Sequence, residues 1–211
     1  MASATKRSLS ETEEARNRIL DAAARAFATG GMKQIRMDDI AKEAGYSVAS
    51  IYNYFKNKDD VLGALLDRAI LEFLTAADVT VPQSVPPEAE LEWLALRLLQ
   101  VARGNLALMA FVLSPRMAMG ADVKQDLTNK YLSVHGRFMV AVEERVARLP
   151  RLCETRHRLL AYQFVGILRT ETFRWLLDQE NVQDDDDLRD TAEFMTRFFL
   201  AGAYAIAGDD A

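Results

Sequence analysis

The sequence predicts an all-α fold, in which a small N-terminal domain of three helices precedes a larger helical domain. Apolar residues recur at three- and four-residue spacing along most of the 211-residue chain, which is the period of a helix with one buried face. No alternating pattern typical of a strand extends over more than a few residues. The five prolines lie between the periodic segments, where helix-breaking residues are expected.

The amino-acid composition limits the kinds of protein to which this chain can belong. The single cysteine, Cys153, excludes an intramolecular disulfide and fits a reducing cytoplasm. The N-terminus has a basic pair but lacks the apolar segment of a secretory signal. The longest apolar run, residues 106–113, is much shorter than the roughly 20 residues of a membrane helix. We therefore expect a soluble, cytoplasmic protein.

The net charge of −5 is distributed unevenly along the chain. Residues 1–60 carry 10 basic and 9 acidic side chains, whereas residues 61–211 carry 16 and 22. A globally acidic protein is not an obvious nucleic-acid binder. The excess acid, however, lies entirely outside the N-terminal part, so that part alone is compatible with an anionic partner.

The first helix is predicted to begin at Ser10, because Ser10 and Glu13 have the spacing of a capping box. Residues 1–9 are then expected to form a disordered arm. Ile19, Ala23 and Phe27 form the apolar stripe of this helix at four-residue spacing, and Gly30-Gly31 ends it.

Three further helices are predicted before residue 76. The second covers about residues 37–44 and is followed by Gly45, and the third covers about residues 47–55. Asn57 and Asp60 have the pattern of an N-terminal cap for the fourth helix. The fourth helix presents an apolar stripe of Leu62, Leu65, Ala69 and Phe73.

Residues 76–90 contain three prolines and no helical period, so they are interpreted as a linker. The predicted division is therefore a first domain over residues 1–56, a connecting helix over 57–75 and a second domain over 76–211. The second domain should begin its first helix at Pro87, since proline is favoured at that position. Its later helices are predicted at about residues 106–113 (ended by Pro115), 122–149, 152–179 and 186–207.

The second and third helices, joined by a turn at residues 44–47, have the pattern of a helix-turn-helix. Ile40, Ala41 and Ala44 can pack against Ile51 and Phe55, which leaves short polar groups and phenols on the outer face. Such a surface fits the major groove of DNA without repelling phosphate. The lysines that follow suit the DNA backbone.

The segments RILDAAARAFATGG and DIAKEAGYSVASIYNYFKNKDDVL, with the spacing between them, resemble the N-terminal domain of TetR-family transcriptional regulators. The resemblance covers about residues 14–62. It implies a three-helix DNA-binding domain, a C-terminal ligand-binding domain and a dimer built from the last two long helices. The residues expected at the DNA are Arg36, Ser47, Val48, Ala49, Ser50, Tyr52, Asn53, Tyr54, Lys56 and Lys58.

Three of these residues depart from the family pattern. Arg36 stands where the family usually has a capping Thr or Ser; arginine cannot cap a helix, although it can reach a phosphate. Val48 replaces a frequent polar residue and Ala49 a frequent glycine, so these two can sense only a thymine methyl or DNA shape. Base discrimination then falls mainly on Ser50 and Asn53, with Tyr54 as a third candidate, which leaves the operator sequence open.

The second domain mixes polar or aromatic side chains with apolar helical faces, a composition typical of a pocket for a bulky hydrophobic ligand. Ordinary core packing is the alternative for each of them, and Glu171 has Arg174 three residues away as a possible ion-pair partner. The candidate pocket residues are Met109, Phe111, Met117, Tyr131, His135, Met139, Phe164, Leu168, Glu171, Thr172 and Trp175.

The last two helices each carry two adjacent apolar stripes, which indicates two neighbours. One neighbour is the domain's own core, and the other is either a second copy of the chain in a four-helix bundle or more of the same chain. We expect a homodimer. The candidate interface residues are Ala161, Val165, Leu168, Met195, Phe198, Phe199, Gly202 and Ile206.

No catalytic or metal-binding constellation stands out. Cys153 and His157 offer only two ligands where a structural zinc site needs four, and the acidic residues 184–187 fit the start of a helix better than a Ca²⁺ loop. No cofactor is expected. The resemblance to the TetR family implies a repressor that a small hydrophobic effector releases from a palindromic operator. The alternatives are a helical module that binds a ligand or protein partner without DNA and, less favoured, a helical hydrolase.

Overall fold

The computed structural model describes residues 2–30, 35–77, 84–106, 108, 121–150, 152, 156–178 and 184–208. Within these ranges the chain forms helices and no strand, which confirms the all-α prediction. The helices are α1 (Ala2–Gly30), α2 (Met37–Ala44), α3 (Val48–Tyr52), α4 (Lys58–Ala77), α5 (Pro87–Gly104), α6 (Ala121–Val146), α7 (His157–Asp178) and α8 (Asp185–Gly208).

The described residues form two compact units. The first contains those from Ala2 to Arg68 together with Leu108 and Ala121–Leu127, and the second contains those of 69–106 and 128–208. The boundary therefore lies inside α4. The sequence predicted instead that this helix, over residues 57–75, connects the two domains and belongs to neither. The predicted helix over residues 106–113 lies mostly outside the described residues, as do the linker residues 78–83.

In the first unit, the predicted stripe of α1 is buried, since Ile19, Ala23 and Phe27 are all shielded from solvent. α2 packs against both α1 and α3. Two ion pairs tie α1 to its neighbours: Arg25 Nε lies 2.8 Å from Glu43 on α2, and Asp21 lies 2.6 Å from Arg68 Nη1 on α4. The helices of this unit are therefore held together by an apolar core with ionic contacts at its surface.

The start of the first helix was predicted wrongly. α1 begins at Ala2 and not at Ser10, so residues 2–9 continue the helix and do not form a disordered arm. These residues contain neither proline nor glycine, and once a helix is nucleated by the packed segment, adding further turns is much less costly than starting one. A capping-box pattern inside such a segment does not stop it.

The end of α2 is set by Gly45, which adopts the left-handed conformation with φ of 73°. The Gly45 amide donates to Lys42 O at 3.3 Å, and the Tyr46 amide donates to Ala41 O at 3.0 Å. These two bonds form a Schellman motif, which satisfies the last carbonyls of the helix and turns the chain sharply. The turn directs the chain from α2 into α3.

The predicted cap of α4 is present. Asn57 Oδ1 accepts a hydrogen bond from the Asp60 amide at 2.9 Å, and Asp60 Oδ2 accepts one from the Lys56 amide at 2.9 Å. Both bonds satisfy backbone N–H groups at the helix start, where no helical partner exists. The position at which α4 begins is thus determined locally by Asn57 and Asp60.

In the second unit, α5 begins at Pro87 as predicted, and its expected stripe of Leu91, Leu94, Ala95, Leu98 and Ala102 is buried. α5 packs against α7 and α8, and α7 also packs against α8. α5 and α8 are antiparallel neighbours, because the ion pair Arg103–Asp185 joins one pair of ends and the Tyr204 hydroxyl donates to Glu88 at 2.7 Å near the other.

The interior of the second unit also contains an ion cluster. Glu90 on α5 is buried, Arg145 Nε on α6 lies 2.9 Å from its Oε1, and Arg148 pairs with its Oε2. Arg145 Nη1 additionally donates to Ala141 O at 2.8 Å. A buried carboxylate requires such partners, since an unpaired one would be strongly destabilising.

Candidate functional site

The candidate surface is built on α2, α3 and the turns that follow each of them. Ile40, Ala41, Ile51 and Phe55 are buried, so the two helices meet through the residues predicted for that contact. None of the ten residues predicted to contact DNA is buried. Tyr52 is the most exposed large apolar side chain among them, with 52% of its surface accessible. The fold therefore separates the core side of this motif from an outer side that carries the candidate residues.

Two of the serines stabilise α3 itself. Ser47 precedes the helix, and its Oγ accepts a hydrogen bond from the Ser50 amide at 3.1 Å. The two hydroxyl oxygens also lie 2.7 Å apart, within hydrogen-bond distance. Serine is a preferred residue at this position because it satisfies an otherwise free N–H. Sequence reasoning placed Ser47 inside the helix and did not detect that it is the cap.

Arg36 precedes α2, and its side chain makes no capping hydrogen bond, as expected for arginine. The cap is instead supplied by Asp39, whose Oδ2 accepts the Arg36 amide at 2.8 Å. The guanidinium group is exposed and is not needed by the helix. It is therefore available for an external anion.

The turn between α3 and α4 presents the two lysines. Lys56 is exposed and Lys58 is half-buried at the first position of α4. The backbone here is held by the Asn57 and Asp60 cap, so both lysines leave a chain segment of defined conformation. Cations on a defined segment, next to the phenol of Tyr52, form a surface suited to a phosphate backbone.

Comparison with known proteins agrees with this geometry. Residues 19–65 match the family described as "Bacterial regulatory proteins, tetR family". This match begins in α1, includes all of α2 and α3, and ends in α4, which is the segment that carries the helix-turn-helix. Residues 19–65 are therefore a TetR-family segment.

Two relatives illustrate how far the sequence likeness extends. An HTH-type transcriptional regulator of Mycobacterium tuberculosis is 33% identical over 112 residues, which cover 53% of this chain and 55% of that protein. The fatty acid metabolism regulator protein of Bacillus subtilis is 33% identical over 73 residues, covering 35% of this chain and 38% of that protein. The chain thus spans about half or less of the length of the curated relatives it matches.

The TetR fold extends further than the sequence likeness. The fatty acid degradation regulator FadR from Bacillus halodurans has a TM-score of 0.68 and 22% identity, and the alignment covers 89% of this chain and 95% of that one. At this identity the comparison establishes the fold alone. The helical fold, including that of the second unit, is therefore shared with this regulator, and fold alone does not imply a shared ligand.

The predicted pocket residues are distributed over several environments. Met109, Phe111 and Met117 lie outside the described residues, and Tyr131 lies on α6 with its side chain undescribed. His135 on α6 faces Tyr162 on α7, with ring centroids 6.0 Å apart. Glu171 is paired with Arg174, whose Nε lies 3.1 Å from Oε2, so the ion pair considered from the sequence is present. The other predicted pocket residues are buried: Met139, Phe164, Leu168, Thr172 and Trp175.

Besides Arg145, which forms an ion pair with Glu90, three side chains of the second unit have a buried polar atom without a hydrogen-bond partner among the described residues: His157, Trp175 and Thr196. Among the described residues, no hydrogen-bond partner is present for Trp175 Nε1 or for Thr196 Oγ1, although Thr196 is only 1% exposed and Trp175 5%. Thr172 differs, because its hydroxyl donates to Leu168 O at 3.1 Å. Buried polar groups are almost always paired, so an unpaired one requires an explanation. Trp175 was a candidate from the sequence; Thr196 was missed, since nothing in its helical position indicates an unpaired hydroxyl.

The predicted dimer-interface set divides into two groups. Ala161, Val165, Leu168, Met195 and Phe199 are buried within the single chain, and Phe164 meets Phe199 at 5.2 Å between ring centroids. These five therefore contribute to the core of the unit, and Met195 also lines the groove beside Phe194 and Phe198. Their contact with a second copy stays a prediction. Phe198, Gly202 and Ile206 are exposed.

The outer faces of α7 and α8 carry an exposed apolar surface, referred to below as the α7–α8 face. It includes Phe194, which is 71% exposed, and Phe198, which is 65% exposed. Two grooves lie along it, one of about 380 Å³ beside Leu159 and Ile206 and one of about 590 Å³ beside Phe194 and Phe198. The other large exposed side chains of the face are Leu159, Tyr162, Phe173 and Ile206.

Sequence reasoning recognised two stripes on α8 but could not assign each stripe to a neighbour. Within the described ranges, no group of three or more His, Cys, Asp or Glu has the geometry of a metal site. Likewise, none of the described helices is long and apolar enough to cross a membrane.

Proposed function

We propose that this protein is a ligand-responsive, sequence-specific DNA-binding regulator of transcription, acting as a homodimer on a palindromic operator. Each protomer would place α3 in one major groove, with Lys56 and Lys58 at the phosphate backbone. Repression, with release by a small hydrophobic effector, is the mode that the family implies. The TetR-type relatives are named as transcriptional regulators, which weighs against a helical hydrolase.

The observation that carries the proposal is the coincidence of the TetR-family match with the geometry of the same segment. Residues 19–65 match the family, and within them the apolar residues of α2 and α3 are buried while the candidate DNA residues are not. The candidate residues also avoid long carboxylates. The candidate residues include three cations, Arg36, Lys56 and Lys58, which suit a phosphate backbone.

The test is selection of bound duplexes from a random DNA pool with the purified protein. We expect enrichment of a two-fold symmetric motif, which the double variant Tyr52→Ala, Lys58→Ala should fail to bind. Arg137→Ala is the matched control, because Arg137 is an exposed cation on α6 of the second unit. If no motif is enriched at any salt concentration, the surface is not a DNA reader.

We propose that the effector binds within the second unit and combines an apolar body with a hydrogen-bond acceptor. The buried apolar residues of α5, α7 and α8 supply the apolar surroundings, and Trp175 Nε1 is a buried donor without a partner in the described residues. Two of the compared proteins are named as regulators of fatty acid metabolism or degradation. Fatty acids therefore make a suitable first probe, since they have both features.

Binding of fatty acids of medium and long chain is measured by calorimetry, with and without the selected operator. If the effector releases DNA, its affinity must be weaker in the presence of operator by the same factor by which it weakens DNA binding. Equal affinity in both titrations would exclude this coupling. The residues of α4 belong to both units. We therefore expect α4 to transmit a conformational change from the second unit to the first.

We propose that the homodimer forms through the α7–α8 face. Its exposed phenylalanines are continuous with two grooves and with the small residues Gly166, Ala201 and Gly202, which allow close approach of a second helix pair. An apolar patch of this kind is uncommon on a monomer's free surface. A second copy of the chain supplies the same apolar face, so a two-fold axis brings apolar surface against apolar surface.

A further inference from the structure

Arg16 on α1 lies over the aromatic ring of Phe55, with its guanidinium carbon 4.9 Å from the ring centroid. Phe55 is buried and directly follows the α3 turn, so the ring is a fixed platform. A guanidinium stacked on a ring uses its flat face for that contact and keeps its N–H donors directed outward in the plane. The stacking therefore orients Arg16 without consuming its hydrogen-bond donors.

The other arginines whose side chains are described on α1 have carboxylate partners. Arg18 lies 3.6 Å from Glu14 on the same helix, and Arg25 lies 2.8 Å from Glu43 on α2. No carboxylate among the described residues pairs with Arg16. Its half-buried guanidinium thus keeps an unneutralised positive charge at the point where α3 ends.

The position of Arg16 relates it to the lysines of the same surface. Lys56 is the residue next to Phe55, and Lys58 follows at the start of α4. Asp60 Oδ2 accepts a hydrogen bond from the Lys56 amide at 2.9 Å, so this carboxylate belongs to the cap of α4. Arg16 thus stands over Phe55, and the two lysines leave the chain one and three residues further on.

We propose that Arg16 is a DNA-positioning residue that binds a backbone phosphate beside Lys56 and Lys58. The inference rests on the proposed function and adds α1 to a surface otherwise formed by α2, α3 and the α3–α4 turn. Arginine suits this role because its planar fork can donate two hydrogen bonds to one phosphate. The contact carries no base information; it sets the orientation of α3 in the groove.

The alternative is a purely structural Arg16 that only covers Phe55. The two roles are separated by the salt dependence of DNA binding, because each phosphate neutralised contributes about −0.9 to the slope of log K against log salt. A structural residue would change stability and leave that slope unchanged. The full-length protein and the selected operator duplex are used throughout.

For Arg16→Gln we expect a salt slope shallower by about 0.9 than that of the wild type, and weaker binding at low salt. Arg16→Met covers the ring without a charge and should show the same shallower slope as Arg16→Gln. It takes the place of Arg16→Gln if that variant folds poorly. Arg16→Lys should retain most of the slope. Arg18→Gln is the matched control and should leave it unchanged, because Arg18 is already paired with Glu14.

A wild-type slope in both uncharged variants would overturn the role of Arg16 while leaving DNA binding intact. Absence of any DNA binding by the wild-type protein would instead overturn the proposed function, and the role of Arg16 with it. A lower melting temperature with an unchanged slope would assign Arg16 to structure alone.

Discussion

Glu90 and Arg145 form an ion pair in the interior of the second unit, where Arg145 Nε lies 2.9 Å from Glu90 Oε1 and both side chains are almost fully shielded from water. The pair joins the first turn of α5 to the last turn of α6. Its two charges can be buried only because they compensate each other.

Glu90→Ala should therefore destabilise the second unit by about 3–5 kcal/mol, since Arg145 would remain buried without its carboxylate. Urea unfolding followed by tryptophan fluorescence measures this, because both tryptophans, Trp93 and Trp175, lie in the second unit. The control is Arg189→Ala, which removes an exposed ion pair with Asp186 and should cost less than about 1 kcal/mol. Equal effects of the two substitutions would contradict the importance of burial.

Gly45→Ala should lower the stability of the first unit by about 1–2 kcal/mol, because a residue with a Cβ is strained at a φ of 73°. A Cβ built at Gly45 meets no atom within 4 Å, so the effect is conformational and not steric crowding. Far-UV circular dichroism during urea unfolding is the readout. Gly63→Ala is the control: Gly63 lies within α4 and also has open space, so alanine there should be neutral or stabilising.

Asn57→Ala should destabilise the start of α4 by about 1 kcal/mol, since the Asp60 amide loses the oxygen that accepts its hydrogen bond. Asn57→Asp keeps an acceptor at the same position and should preserve most of the stability. Amide hydrogen exchange at residues 58–61 reports directly on this turn. Unchanged exchange in Asn57→Ala would show that tertiary packing alone holds the start of α4.

Thr196→Val should raise the stability of the ligand-free protein by about 1 kcal/mol, because it replaces a buried unpaired hydroxyl with a methyl group of similar size. Thr172→Val is the paired control and should be neutral or destabilising, as the Thr172 hydroxyl is bonded to Leu168 O. Thermal melting distinguishes the two. A destabilised Thr196→Val would mean that its hydroxyl is satisfied, for example by a buried water.

If the protein dimerises as proposed, Phe198→Lys should convert it into monomers, since it places a charge on the α7–α8 face, where the wild-type side chain is exposed on the single chain. Analytical ultracentrifugation over a range of protein concentrations measures the change. The comparison variant is Val140→Lys, which alters another exposed apolar residue, on α6 and not on the α7–α8 face. Dimers that persist in Phe198→Lys would place the interface elsewhere.

Signals within a few residues predicted much of this protein. The Asn57–Asp60 cap, Gly45 after α2, Pro87 at the start of α5 and the stripe of α5 are all present, because each depends on local hydrogen bonding or helical period. The helix-turn-helix was recognisable for the same reason. The start of α1 was predicted wrongly from the capping pattern at Ser10, because such a pattern permits a helix to begin there but does not require it.

By itself, therefore, the sequence determined the helical class, several helix boundaries, the TetR-family character of the N-terminal segment and the residues left on the outer side of α3. Only the tertiary structure decided which stripe of α7 and α8 enters the core. The helical period is the same whether a neighbour belongs to the same chain or to another, so it could not separate Phe199 from Phe198. The same holds for the stacking of Arg16 on Phe55 and the unpaired hydroxyl of Thr196, which depend on contacts between residues distant in sequence.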